Sequence, residues 1–239
     1  MKIDPLPPIK GPSGNILKKE RGAEKALHGP LSFYVDALYS TLVKLRPKVC
    51  LEIGTCGGGT AKVFQRYFDN YSTDGWLLTV DIKKYVNIEN DNIKQCMVYP
   101  HVKNIRPHHN YVMDDDMLSG FEEIENSVEK NCSIIQRELS EAGFEKFDFV
   151  FIDGDHQRDS FLKDIEVAKI VSHPPHYMLL DDVCDYIHDS AVVFNEEVKS
   201  QYGHYSFEDW KHNEDILSLK HVDSVDEITA GTALIWEKK

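Results

Sequence analysis

Val49-Cys-Leu-Glu-Ile-Gly-Thr-Cys-Gly-Gly-Gly-Thr60 is an apolar run that ends in a glycine-rich turn and passes directly into residues at helical spacing. A strand, a tight turn and a helix in that order leave backbone amides unobstructed at a helix N-terminus, where they can wrap the polar part of a nucleotide-like cofactor. A dinucleotide fingerprint needs the pattern G-x-G-x-x-G, and counted from Gly54 its second glycine would fall at Cys56. The pattern fails at the glycine that faces the pyrophosphate, which disfavours a nicotinamide-dependent reductase. What stands in its place is Glu52-x-Gly54-x-x-Gly57.

Apolar runs recur on both sides of this turn. Residues 48–53, 77–81, 110–113, 147–153 and 177–181 read as strands, with helical segments between them. Alternation of that kind predicts right-handed crossovers and a parallel sheet covered on both faces. A helix is expected from Pro30, where Leu31, Tyr34, Val35, Leu38, Leu42 and Leu45 share a face and Pro47 ends the pattern. Residues 121–142 repeat apolar positions at helical spacing, and residues 216–222 and 232–236 are two further strand candidates, the last one reversed. The fold class is therefore α/β, a doubly wound, mostly parallel seven-stranded sheet in one domain over residues 30–239, preceded by an irregular Pro-, Gly- and Lys-rich arm over residues 1–29.

Composition narrows the partners. With 239 residues and 41% hydrophobic content the chain supports one sizeable core. A formal net charge of -13 opposes a nucleic-acid surface, which rests on clustered Lys and Arg, and points to a small-molecule substrate. The five cysteines, Cys50, Cys56, Cys96, Cys132 and Cys184, form no C-x-x-C pair and are odd in number, as expected of reduced thiols in a cytoplasm. No apolar run approaches a membrane span and no signal-peptide core is present, so a cytoplasmic protein without a membrane partner is expected. Assembly into a homo-oligomer is left open, because no stretch marks an interface.

Acids gather at the ends of the strand candidates. Trp76-Leu-Leu-Thr-Val-Asp81 places Asp81 where a doubly wound sheet meets the ribose of a bound nucleoside. Phe147-Asp-Phe-Val-Phe-Ile-Asp-Gly-Asp-His156 delivers Asp153, Asp155 and His156, and Tyr177-Met-Leu-Leu-Asp-Asp-Val183 delivers Asp181 and Asp182. If these strands are neighbours, Asp153, Asp181 and Asp182 converge at one edge of the crevice. Packed carboxylates repel, and a hard divalent cation with oxygen ligands resolves the repulsion; Mg²⁺ is the first choice, with Mn²⁺ or Ca²⁺ as alternatives. His108-His109 and His173-x-x-His176 have no evident third ligand and read as loop histidines. Tyr202, Tyr205, Phe207 and Trp210 form an aromatic cluster whose simplest role is packing.

Two of these motifs carry a family resemblance. Glu52-x-Gly54-x-x-Gly57 resembles motif I of the class I S-adenosylmethionine (SAM) methyltransferases, a Rossmann-like fold. Ile152-Asp-Gly-Asp-His156 paired with Leu179-Leu-Asp-Asp182 resembles the metal-dependent O-methyltransferases around the cephalosporin hydroxylase and macrocin-type families, and more distantly catechol O-methyltransferase, over most of the chain from Pro30 onward. The resemblance implies SAM as cofactor, held by Glu52, Gly54, Thr55, Gly57 and Thr60, with Asp81 at the ribose and Asp115, flanked by Asp114 and Asp116, near the adenine. It implies Asp153, Asp181 and Asp182 as metal ligands and His156 as general base. Many relatives have a Pro-Gly-Gly turn before the last motif strand, where this chain has His173-Pro-Pro-His176. The expected activity is SAM- and divalent-metal-dependent O-methylation of a polar small molecule, a sugar or a natural product. A hydroxylase-like enzyme or a non-catalytic SAM-binding protein of the same fold is the alternative.

Overall fold

A computed structural model describes residues 34–84, 87–88, 90–102, 125–183, 189–206 and 231–238. Seven strands form one sheet in the order β3-β2-β1-β4-β5-β7-β6. They are β1 (Val49–Ile53), β2 (Trp76–Asp81), β3 (Ile93–Met97), β4 (Phe149–Ile152), β5 (Met178–Leu180), β6 (Tyr202–Ser206) and β7 (Ala233–Glu237). The helices are α1 (Tyr34–Leu45), α2 (Gly59–Tyr71), α3 (Ser127–Glu141), α4 (Arg158–Val171) and α5 (Asp189–Val193), the last continuing through a π-helical turn, Phe194–Val198, into Lys199–Gln201. No helix among the described residues is long and apolar enough to cross a membrane.

The first five strands are parallel, and β7 runs antiparallel to both β5 and β6. Every residue of β1, β4 and β5 is buried, which is why these strands are apolar throughout, Glu52 apart, rather than alternating. Alternate side chains enter two separate cores. Leu51, Ile53, Val80, Val150, Ile152 and Leu180 pack against α3, α4 and α5. Cys50, Leu77, Phe149, Phe151 and Leu179 face α1 and α2 on the other side. This two-residue alternation sets the register Leu51↔Leu78 and Leu51↔Val150, because a one-residue slip would carry each strand's side chains into the wrong core.

The chain leaves β1 toward β2 on one side and returns to β4 on the other, so β1 and β4 flank the point where strand order reverses. In an open α/β sheet a ligand crevice forms there, beyond the carboxyl ends of the strands. Gly54, Asp81, Asp153 and Asp181 each follow or end one of these strands.

Two strands differ from expectation. The third strand is β3, which pairs with β2 from Leu77↔Ile93 to Asp81↔Met97; the expected strand at 110–113 lies outside the described residues. Burial along β3 is irregular because it is an edge strand, so its sequence carries no clear alternation. The second partner of β7, beside β5, is β6, which holds part of the expected aromatic packing cluster. Tyr202 and Tyr205 are strand residues, and Gly203 leaves room for the Trp236 indole, whose Nε1 would lie 2.4 Å from a Cβ at that position. Phe207, Trp210, residues 216–222, His108, His109 and the arm at 1–29 lie outside the described residues, as does the start of the 121–142 helix, which is described as α3.

Candidate active site at the carboxyl ends of the central strands

The glycine turn is built by close backbone approach. Gly54 has φ 103° and its N–H donates to Val80 O at 2.9 Å. A Cβ here would lie 1.9 Å from Asp153 O, so the β1 and β4 exits touch through a position that only glycine can fill. Gly58, at φ 73°, starts α2 in the left-handed conformation without a side-chain cap, which leaves the amides of the first helical turn available. Gly57 is partly exposed in the same turn. The Thr55 hydroxyl is 2.6 Å from the Thr79 hydroxyl, so Thr55 braces the turn against β2.

Below this turn, Glu52 is fully buried and neither carboxylate oxygen has a hydrogen-bond partner of good geometry. Burial raises its pKa to about 8; the nearby Thr79 and Thr60 hydroxyls oppose the rise and the Asp81 charge adds to it. An acid on a central strand that only such hydroxyls approach is costly unless it is protonated or meets a cation. Asp81 is better served: Cys56 N–H donates to its Oδ2 at 2.8 Å and Ile82 N–H to its Oδ1 at 2.7 Å. Its pKa is nevertheless raised, burial outweighing the amide bonds. The amides of Lys83 and Thr55 also lie close enough to favour its charged form.

The acids of β4 and β5 meet a histidine. His156 Nε2 lies 3.7 Å from Asp153 Oδ1 and 3.5 Å from Asp182 Oδ2, and one ligand atom from each of these three residues falls within 4.8 Å of the other two. A quarter of the Asp153 side chain reaches solvent, yet burial and the charges of Asp182, Glu52 and Asp81 push its carboxyl well above the usual range. Oxygen and imidazole donors crowded at repelling carboxylates fit a divalent cation.

Asp181 belongs to the expected ligand set. It is buried at 4% exposure and stands outside the donor group, which His156 completes instead. Consecutive residues at a strand end project to opposite sides, and Asp182 is turned further by a φ of 50°. Asp155 is also used elsewhere: it accepts from Ser160 Oγ at 2.7 Å and from Gln157 Nε2, tying the turn to the start of α4. His176 interacts with Ser172 and Glu237 and belongs to no metal cluster among the described residues. Asp114, Asp115 and Asp116 lie outside the described residues.

One contributor has no signature in the sequence. Ser190, on α5 and fully buried, donates its hydroxyl to Asp182 O at 2.7 Å and its N–H to His156 O at 3.0 Å. It clasps both exit loops through their carbonyls, and a contact to backbone leaves no residue-type pattern to read.

A family model described as a methyltransferase domain matches residues 51–183. That is more than half of the chain, and the chain belongs to this family, as a class I SAM-dependent methyltransferase. No curated protein matches it by sequence. Among solved structures, the O-methyltransferase from Bacillus cereus in complex with SAH is similar at a TM-score of 0.51 and 14% identity, over 98% of this chain and 93% of that one. TomG from Streptomyces achromogenes, an O-methyltransferase involved in tomaymycin synthesis and solved with SAM, is similar at 0.52 and 14%, over 98% and 93%. MycE, a methyltransferase of the mycinamycin pathway solved with Mg and SAH, is similar at 0.53 and 12%, over 96% of this chain and 56% of that one. At these identities the likeness establishes a shared fold.

Proposed function

We propose that this chain transfers the SAM methyl group to a hydroxyl of a polar small molecule, a sugar or a natural product, beside a bound divalent cation such as Mg²⁺. The observation that carries the reading is the convergence of Asp153, His156 and Asp182 within 4.8 Å at the crevice that the glycine turn also lines. The presence of Mg and SAH together in MycE, a protein of the same fold, supports it.

SAM supplies a methyl on a sulfonium, whose thioether leaving group needs no proton, and a divalent cation supplies Lewis acidity that lowers the pKa of a substrate hydroxyl. The chain's own work is then binding, alignment and one proton transfer. Glu52, ionised, receives the cofactor's ammonium group from beneath the turn, while Gly54 and Gly57 let its methionine part approach the backbone. Asp81 accepts hydrogen bonds from the ribose hydroxyls, and Asp115 serves the adenine end. Asp153 and Asp182 hold the cation, and His156 takes the hydroxyl proton at Nε2. Holding the attacking oxygen in line with the methyl provides much of the acceleration.

A second reading of His156 has its own support. Its Nε2 lies among the carboxylate oxygens, where it could serve as a third metal ligand in place of a base. Calorimetry with SAM and Mg²⁺ on the wild type, Asp182→Ala and His156→Gln separates the readings. Expected are saturable SAM binding in all three, an Mg²⁺ heat lost in Asp182→Ala, and an Mg²⁺ heat kept in His156→Gln while methyl transfer to a screened acceptor falls by about 10²-fold or more. Loss of Mg²⁺ binding in His156→Gln makes the histidine a ligand. A wild type that binds no SAM overturns the function.

A further inference from the structure

A second buried polar cluster lies beside the site without joining it. His101, Ser127, Asn131 and Asp164 are each 7% exposed or less and come from the β3 exit, α3 and α4. His101 Nδ1 is 2.8 Å from Ser127 Oγ, and its Nε2 is 3.2 Å from Asp164 Oδ1. Asn131 grips the same stretch by backbone: Tyr99 N–H donates to Asn131 Oδ1 at 2.8 Å, and Asn131 Nδ2 donates to Tyr99 O at 2.9 Å. Lys163 Nζ donates to His101 O at 3.1 Å. One residue before Tyr99, Val98 N–H donates to Asp81 O at 2.9 Å, which ties this segment to the proposed ribose acid.

The other end of the cluster reaches the metal loop. Asp164 Oδ2 lies 2.9 Å from the point where a Cβ on Gly154 would stand, so the carboxylate is seated against the turn between Asp153 and Asp155. Burial pushes the Asp164 carboxyl up, and the bond to His101 draws it back. Serine, histidine and aspartate in this order have the composition of a hydrolytic triad. Ser127 is 3% exposed, however, and the groove between α3 and α4, lined by Asn126, Val128, Cys132 and Glu166, does not include it. With no access for a substrate, the cluster acts on the chain itself. A buried ion-pair-like network costs desolvation that apolar packing avoids, and its return is fixed geometry.

We propose that Asp164 and His101 are positioning residues, a buried strut that sets the β3 exit at residues 98–101 against the Gly154 turn. It thereby holds the nucleoside-facing wall and the cation-binding carboxylate in one rigid frame. The inference rests on the methyl-transfer reading for its ligands, although the strut itself can be examined without them. The frame couples the two sites: without the carboxylate of Asp164, both the β3 exit and the Asp153 loop lose a fixed reference.

The test compares Asp164→Ala, Asp164→Asn and, as a stability-matched control on the same helix, Phe161→Leu. Calorimetric affinities for SAH and for Mg²⁺ are measured together with hydrogen exchange of peptides spanning residues 98–102 and 153–156. Asp164→Ala is expected to weaken both affinities about tenfold and to speed exchange in both peptides. Asp164→Asn, which keeps an acceptor for His101 Nε2–H, should restore both affinities to within about threefold of wild type. Phe161→Leu should lose stability with neither affinity changed. A folded Asp164→Ala with wild-type affinities and exchange overturns the proposal, as does a loss that Phe161→Leu reproduces. If Asp164→Ala fails to fold, Asn131→Ala takes its place, with weakened SAH binding and faster exchange at residues 98–102 expected; unchanged values overturn the proposal. A wild type that binds no SAH refutes the methyl-transfer reading, and the strut then stands or falls on the exchange result.

Discussion

Gly54 and Gly143 both carry positive φ, yet they tolerate a side chain very differently. At Gly143 a Cβ meets nothing within 4 Å, so alanine faces only the backbone strain of φ 83°, on the order of 1 kcal/mol. At Gly54 the added Cβ would stand 1.9 Å from the carbonyl oxygen of Asp153. Because both clashing groups belong to strand exits, no rotamer change relieves the contact, and β1 and β4 must separate. Gly54→Ala is expected to cost at least about 3 kcal/mol, with Gly143→Ala near a third of that. Urea denaturation of the two variants checks the contrast, and equal midpoints would mean that the β1 and β4 exits do not meet as described.

At the scale of elements, the strand entries are as specified as the exits. Asp148 Oδ2 accepts from Lys48 N–H and from Val49 N–H, each at 2.9 Å, and so pins the start of β1 to the start of β4. Asp148→Ala should cost about 1–2 kcal/mol by freeing two backbone donors, without altering SAM or Mg²⁺ affinity. A changed cofactor affinity would show that strand entry and strand exit are coupled. The sequence made β1, β2, β4 and β5 legible because buried parallel strands are mostly apolar runs, here closed by a glycine turn after β1 and by acids at the ends of the others. It left β3 and β6 unread for a shared reason. Both are edge strands, half-exposed, and their polar or glycine positions such as Gln95, Gly203 and His204 erase the alternation. In the candidate site, Glu52, Gly54, Asp81, Asp153, His156 and Asp182 could be singled out from their place at or just beyond the ends of apolar runs. The separation of Asp181 from Asp182 could not, because it depends on a backbone turn at a single residue. Ser190 and the His101–Asp164 pair were equally hidden, since they join segments distant in sequence and match no spacing rule.

For the molecule as a whole, burial raises four carboxyls at or beside one crevice, Glu52, Asp81, Asp153 and Asp164, in a chain of net charge -13. The sign of the resulting pH dependence is fixed. A carboxyl whose folded pKa lies above its unfolded value binds more protons in the folded state, so its contribution to stability is whole below the unfolded pKa and is lost as pH rises through the folded one. For Glu52 that window runs from 4.5 to about 8. The loss across it is on the order of 3–5 kcal/mol for this one group. The cofactor-free, metal-free protein should therefore become less stable between pH 5 and pH 8, as measured by urea midpoints. Glu52→Gln should flatten much of that slope, because it keeps the shape and removes the titration. A cation bound at either end of the crevice should act the same way: saturating SAM offers an ammonium group to Glu52, and Mg²⁺ offers charge to Asp153 and Asp182, so each should raise stability more at pH 8 than at pH 5. A ligand-free stability that holds level or rises over this range would mean that Glu52 is not held without a partner in the folded chain. The claim that its carboxylate awaits the cofactor's ammonium group would then fail with it.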